Sequence, residues 1–137
     1  MGVLLDSSVP IKAQRLRLDE RGMLVRIKSI VGNAVLGTST IVVTELLQGV
    51  APGKHPEARA MRQLFFDEFL LDINVHPYSS EIALLAGRIG GEQMTFGRTI
   101  PTLDLMIGAT ALYLGFSLLT ANVRHFSLIP GLHVLPF

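Results

Sequence analysis

Residues 100–122 read IPTLDLMIGATALYLGFSLLTAN, and the fold turns on how this stretch is divided. No residue from Leu105 to Val123 is charged, and the run is long enough to cross a bilayer. Gly115-Phe116-Ser117 interrupts it after one helix length, and Gly108, Thr110, Ser117 and Thr120 dilute it. Asp104 sits at its mouth, with no aromatic belt or flanking basic cluster. It therefore reads as two short elements, a helix beginning at Pro101 and running to Leu114 and a buried strand from Phe116 to Thr120.

The same alternation continues outward. Val3-Leu4-Leu5 is a short buried strand, and Asp6-Ser7-Ser8 leads into a helix with a Ser cap and Pro10 in its first turn. Residues 19–31 (DERGMLVRIKSIV) predict a helix, and Ala34-Val35-Leu36 a second buried strand. Ser39 or Thr40 caps a helix from Ile41 to Gln48, ended by Gly49, and Ala51-Pro52-Gly53 is a loop. Helices are expected from Glu57 to Phe69 and from Ser79 to about Gly90. Short strands are expected at Leu71–Val75 and Leu132–Leu135. Strands separated by helices imply a three-layer α/β/α domain spanning 1–137, with a short parallel central sheet.

Composition agrees with a packed domain. The 137 residues are 49% apolar and 17% charged, which excludes disorder, and this length can hide roughly two-thirds of its unfolded surface. Mean hydropathy is +0.46, high for a soluble domain, as a buried sheet or a sticky partner surface would produce. The absence of cysteine excludes disulfides, zinc–thiolate sites and thiol nucleophiles. Twelve Lys and Arg against 11 Asp and Glu leave +1, so bulk charge makes no case for a nucleic-acid partner. There is no basic leader, and Val3-Leu4-Leu5 is too short for a signal peptide, so a cytoplasmic protein without a membrane anchor is expected.

Parallel α/β folds bind ligands at the carboxyl ends of their strands. Asp6 stands just past the first strand and Asn122 just past the strand ending at Thr120. An acid after a strand often caps a helix, but Ser7 and Ser8 can supply that cap, which leaves Asp6 for function. Glu45 lies in the apolar helix IVVTELLQG, where a carboxylate is costly unless paired, protonated or metal-bound. It either serves a site or reaches the surface at an edge. Asp104, in the first turn of its helix, is favoured there by the helix dipole. The stripe that follows it, Gly108, Ala111 and Gly115, allows either close packing or room for an ion and substrate.

Two carboxylates ~5 Å apart repel by roughly 3 kcal/mol at an effective dielectric of about 20, and three fare worse. A hard cation with oxygen ligands, Mg²⁺ or Mn²⁺, removes that repulsion. Such an ion activates water and stabilises charge on a phosphodiester, so metal-dependent phosphodiester hydrolysis is the predicted chemistry.

Competing motifs are absent: no dinucleotide fingerprint, Walker loop, HExxH or GxSxG occurs. The four histidines, His55, His76, His125 and His133, show no ligand spacing and read as surface or loop residues. Lys12, Arg15, Arg17, Arg21, Arg26 and Lys28 crowd one stretch, while Arg98 and Arg124 flank site segments. Phosphate contact is one use for them and a solvated face with ordinary ion pairs the other.

VLLDSSVPI (3–11), TELLQGV (44–50), IPTLDLMIGATAL (100–112) and LLTANVRHFSLIPGLHV (118–134) occur in an order that resembles the PIN-domain family, and within it the VapC-type toxin ribonucleases of type II toxin–antitoxin modules. The resemblance covers essentially the whole chain, with residues 51–95 adding little beyond helical pattern. It implies a three-layer fold with an acidic pocket for Mg²⁺ or Mn²⁺ that hydrolyses RNA. By motif, Asp6, Glu45 and Asp104 match the three catalytic acids and Ser8 a supporting hydroxyl. Asn122 stands where a fourth acid occurs, implying a weak or outer-shell ligand, with Thr120 supporting. Arg98 and Arg124 are candidates for substrate contact. The resemblance also implies a small antitoxin partner and a toxin homodimer. A housekeeping RNA-processing nuclease and a degenerate non-catalytic binding module are the alternatives.

Overall fold

A computed structural model describes residues 1–50 and 55–137, so the loop expected at Ala51-Pro52-Gly53 lies outside the described residues. The elements run β1 (Gly2–Leu5), α1 (Ser8–Arg15), α2 (Glu20–Val31), β2 (Val35–Ser39), α3 (Thr40–Val50), α4 (Pro56–Asp72), β3 (Asn74–His76), α5 (Ser80–Thr95), α6 (Thr102–Leu114), β4 (Ser117–Thr120), α7 (Val123–Phe126) and β5 (Val134–Pro136). The five strands form one sheet in the order β3-β2-β1-β4-β5, parallel throughout.

Adjacent strand residues point to opposite faces. Leu4 and Leu5 on β1, and Leu118 and Leu119 on β4, are nevertheless all fully buried. Both faces of the sheet centre are therefore covered, which makes three layers. α1 packs on α2 and α2 on α4, while α5 packs on α6 and α6 on α3. Val9, Met23, Ile27, Phe69 and Ile107 belong to the same main core cluster as β1 and β4. No helix among the described residues is long and apolar enough to cross a membrane, consistent with the division at Gly115, where α6 ends in the left-handed region at φ 68°.

Several boundaries depart from the pattern, and tertiary contacts explain them. α3 runs through Gly49 to Val50, whose side chain is buried in the core. α5 continues past Gly90-Gly91 to Thr95. A Cβ at Gly90 would lie 2.6 Å from Leu105 Cδ2, so this glycine marks a close approach of α5 to α6 rather than a stop. Leu71 and Asp72 stay in α4, and the edge strand shifts to Asn74–His76, where it pairs with Gly37–Ser39. β5 begins at Val134 rather than Leu132 because its register is set by Leu118–Thr120. The four-residue helix α7 has no counterpart in the periodicity analysis.

Candidate active site

Asp6 leaves β1 with its amide bonded to the Leu119 carbonyl (3.3 Å), so the β1–β4 pairing fixes its place at the carboxyl edge. Its carboxylate is nearly fully buried and accepts three hydrogen bonds. The Ser8 amide (3.1 Å) and hydroxyl (2.5 Å) donate to Oδ1, and the Thr120 hydroxyl donates to Oδ2 (2.8 Å). A hydroxyl has one proton to give. Ser8 and Thr120 each spend theirs on Asp6 and accept from backbone: the Ala121 amide bonds Ser8 Oγ (2.8 Å) and the Asn122 amide bonds Thr120 Oγ1 (2.9 Å). The turn after β1 and the turn after β4 are thus tied together through one carboxylate.

This arrangement corrects the capping argument. Ser7, at the cap position of α1, makes no side-chain cap bond, and the Ser8 proton goes to Asp6. Asp6 itself takes the Ser8 amide at the start of the helix. It is therefore both turn acid and pocket acid, and the pocket role rests on its surroundings. Burial, with a smaller push from the Asp104 carboxylate, lifts its carboxyl to about 6 against the lowering effect of the Ser8 and Thr120 bonds.

Glu45 is half-buried on α3, and its Oε1 is buried without a hydrogen-bond partner. Burial raises its carboxyl, the Ser7 hydroxyl opposes that rise, and the Asp104 and Asp6 charges add to it. A buried carboxylate oxygen left without a partner costs about 1–3 kcal/mol. Asp104 sits in the first turn of α6, 20% exposed, and its Oδ2 lies 3.0 Å from His125 Nδ1. The three acids come from separate segments, yet the Asp104 charge raises the carboxyls of both Asp6 and Glu45. The fold therefore leaves the three acids within electrostatic range of one another without closing them into an ion-binding cluster.

The other predicted residues divide. Ser8 and Thr120 support Asp6 directly. Asn122 is exposed, and its one hydrogen bond toward the site comes from the backbone amide, not the side chain. The guanidinium of Arg98 lies 5.9 Å from the centre of the Phe96 ring, and Arg124 is exposed. In the basic stretch, Lys12 donates to the Phe137 carbonyl (2.7 Å) and the Arg26 guanidinium lies 4.8 Å from the Phe137 ring centre, so these two cations serve the fold. Arg15 and Arg17 share with Glu45 the lining of a groove of about 920 Å³, whereas Arg21 and Lys28 face a separate cleft. His125 is exposed, as the sequence suggested, but its bond to Asp104 was not foreseen there.

The small stripe on α6 is also settled. A Cβ at Gly108 would lie 2.2 Å from Ile129 Cδ1 and 3.5 Å from Phe126 Cδ1. The space beside Gly108 is filled by Ile129 and Phe126, so the stripe serves close packing at this position, whereas a Cβ at Gly115 would meet nothing within 4 Å.

Among the described residues, no three Asp, Glu or His groups already stand close enough to hold an ion. The donor set still suits one. Three carboxylates offer the oxygen ligands that a hard divalent cation prefers, and Glu45 Oε1 is a buried acceptor with nothing to accept from. A cation would supply that partner and remove the mutual repulsion.

Comparison with known proteins agrees with this geometry. The PIN domain family model matches residues 3–132. Ribonuclease VapC1 of Rickettsia felis is 35% identical over 136 residues, covering 98% of this chain and 96% of the relative. Ribonuclease VapC19 of Mycobacterium tuberculosis is 29% identical over 94% of this chain and 95% of its own. In structure, VapBC-1 from nontypeable Haemophilus influenzae superposes with a TM-score of 0.77 at 27% identity, over 99% of this chain and 98% of that one. VapBC2 from Rickettsia felis, solved bound to a DNA fragment from its promoter, superposes at 0.84 over 100% and 99%, and its 24% identity speaks for the fold alone. With the family model spanning residues 3–132, which hold β2, β3, β4, nearly all of β1 and all three candidate acids, this chain belongs to the PIN-domain family.

Proposed function

We propose that the protein is a metal-dependent endoribonuclease, the toxin half of a VapBC-type toxin–antitoxin module, acting in the cytoplasm on single-stranded or loop RNA. The relatives named ribonucleases and the neighbours solved as VapBC complexes support the RNA substrate and the antitoxin partner. The homodimer expected from the resemblance is part of the same reading. The observation that carries the metal requirement is the unpartnered buried oxygen of Glu45, facing a set of mutually repelling carboxylates.

Asp6, Glu45 and Asp104 would hold Mg²⁺ or Mn²⁺. Bound there, the ion supplies an activated water and stabilises charge developing on the phosphodiester. Ser8 and Thr120 keep the Asp6 carboxylate in one orientation by filling both of its oxygens. Asn122 is left at the rim, where it serves as an outer-shell group at most. Arg15 and Arg17, in the groove shared with Glu45, offer charge for an approaching phosphate backbone, and Arg98 and Arg124 can add to it from their exposed positions.

Incubation of structured RNAs with purified protein, with and without Mn²⁺ and chelator, beside Asp6→Ala, tests this. Cutting should require the ion and vanish in the variant. Cutting that survives chelator defeats the metal mechanism. No cutting of any RNA favours a binding module, a reading to which the unassembled state of the three acids lends support. Growth arrest on expression, relieved by the adjacent upstream reading frame, separates the toxin from a housekeeping nuclease.

A further inference from the structure

Asp104 is the one acid of the three whose carboxylate is bonded to an imidazole. His125 Nδ1 lies 3.0 Å from Asp104 Oδ2, and Oδ1 has no hydrogen-bond partner among the described residues. This contact is built by packing. Phe126, the next residue, is fully buried and anchors the end of α7 in the core. Gly108, one turn beyond Asp104 on α6, lacks the Cβ that would collide with Ile129 at 2.2 Å, and Phe126 packs beside it at ordinary contact distance. The missing side chain lets α7 settle onto α6, and that approach carries His125 to Asp104. The imidazole itself is 54% exposed, so burial does not account for its position.

A carboxylate on a helix's first turn can rotate about two side-chain bonds. Fixing one oxygen with a hydrogen bond fixes the other. We propose that His125 is a positioning residue: it donates Nδ1–H to Asp104 Oδ2 and so holds Oδ1 ready for the divalent cation. The proposal rests on the cation reading given above. Such partners orient ligating carboxylates, and removing one typically costs about 10–100-fold in metal affinity.

The test uses the whole chain and Mn²⁺ alone, with binding followed by calorimetry and by electron paramagnetic resonance of the ion. His125→Ala should bind Mn²⁺ about tenfold more weakly than the parent. His125→Asn, whose side-chain amide can donate from nearly the same place, should recover most of that loss. Thermal midpoints without the ion should match among the three, since His125 is exposed. Equal affinity of His125→Ala and the parent overturns the proposal. So does an Asn variant as weak as the Ala variant, because the hydrogen bond would then not be the cause. Nitrogen hyperfine coupling to bound Mn²⁺ that disappears in His125→Ala would make the imidazole a ligand, and also overturns it. A parent that binds no Mn²⁺ defeats the cation reading itself and the positioning role with it, an outcome distinct from the other three.

Discussion

Asp6 and Glu20 both have raised carboxyls, and their surroundings are built differently. At the sheet edge, Asp6 is lifted to about 6 chiefly by burial while hydroxyls and an amide pull it down. Glu20, at the start of α2 and in the same groove as Glu45, is lifted to about 7, first by burial and then by Asp72, Glu68 and Asp19. Glu20 Oε1 is buried without a partner, as Glu45 Oε1 is. Among the described residues no hydrogen-bond donor reaches Glu20 Oε1, whereas Asp6 is supplied with three donors. A site meant to work with ionised acids invests in donors. The Glu20 group has the repulsion without those donors, and it sits where α2 meets α4. A raised carboxyl alone does not mark a site; a raised carboxyl held by donors at the carboxyl edge of a parallel sheet does.

The sharpest separation of the two groups is by activity. Asp6→Ala should lower metal-dependent RNA cutting by on the order of 10³-fold, several kcal/mol of barrier, while Glu20→Gln leaves it within about twofold. An equal loss in both variants, measured as initial cutting rates at saturating Mn²⁺, would erase the distinction.

Next in size is Thr120→Val. It keeps the shape of a fully buried side chain but strips a donor from Asp6 and an acceptor from the Asn122 amide. Stability in urea should fall by about 2–3 kcal/mol, and the Asp6 carboxyl, followed by NMR titration, should move further up.

Gly108→Ala should cost about 1–2 kcal/mol, because the new Cβ would lie 2.2 Å from Ile129 Cδ1, which has to give way inside a packed interface. The His125–Asp104 bond should weaken with it, visible as a change in the His125 ring resonances. An unchanged ring would show that α7 reaches Asp104 by another route.

The smallest effect belongs to Glu20. Its folded pKa lies above its unfolded one, so the folded protein binds the extra proton, and stability is lost as pH rises from about 4.5 through about 7. Glu20→Gln should therefore match the parent at pH 4 and exceed it at pH 8, by about 1 kcal/mol after allowance for solvent screening. Thermal melts at the two pH values check the sign.

The strands and the acids were legible in the sequence for one reason. VLL and SLLT are short unbroken apolar runs, and a parallel sheet buried on both faces demands them. Once they are placed, the carboxyl-edge rule finds Asp6 directly, while Glu45 and Asp104 are reached through the helices that follow. What stayed illegible depends on contacts between distant residues. Gly90 looks like a helix stop until Leu105 is seen beside it. Lys12 and Arg26 look like phosphate binders until Phe137 is seen between α1 and α2. His125 sits on a helix too short to show periodicity, and its contact depends on a glycine some seventeen positions earlier in the chain.

One short segment, residues 120–126, has a grip on two of the three acids. Its first residues supply the hydroxyl and amides that complete the cradle of Asp6, and its sixth supplies the ring that reaches Asp104. Glu45, on α3, is the one left outside that grip. A ligand leaning on this turn would pull two carboxylates out of true together, so two-thirds of the acidic trio can be enabled or disabled by a single lever.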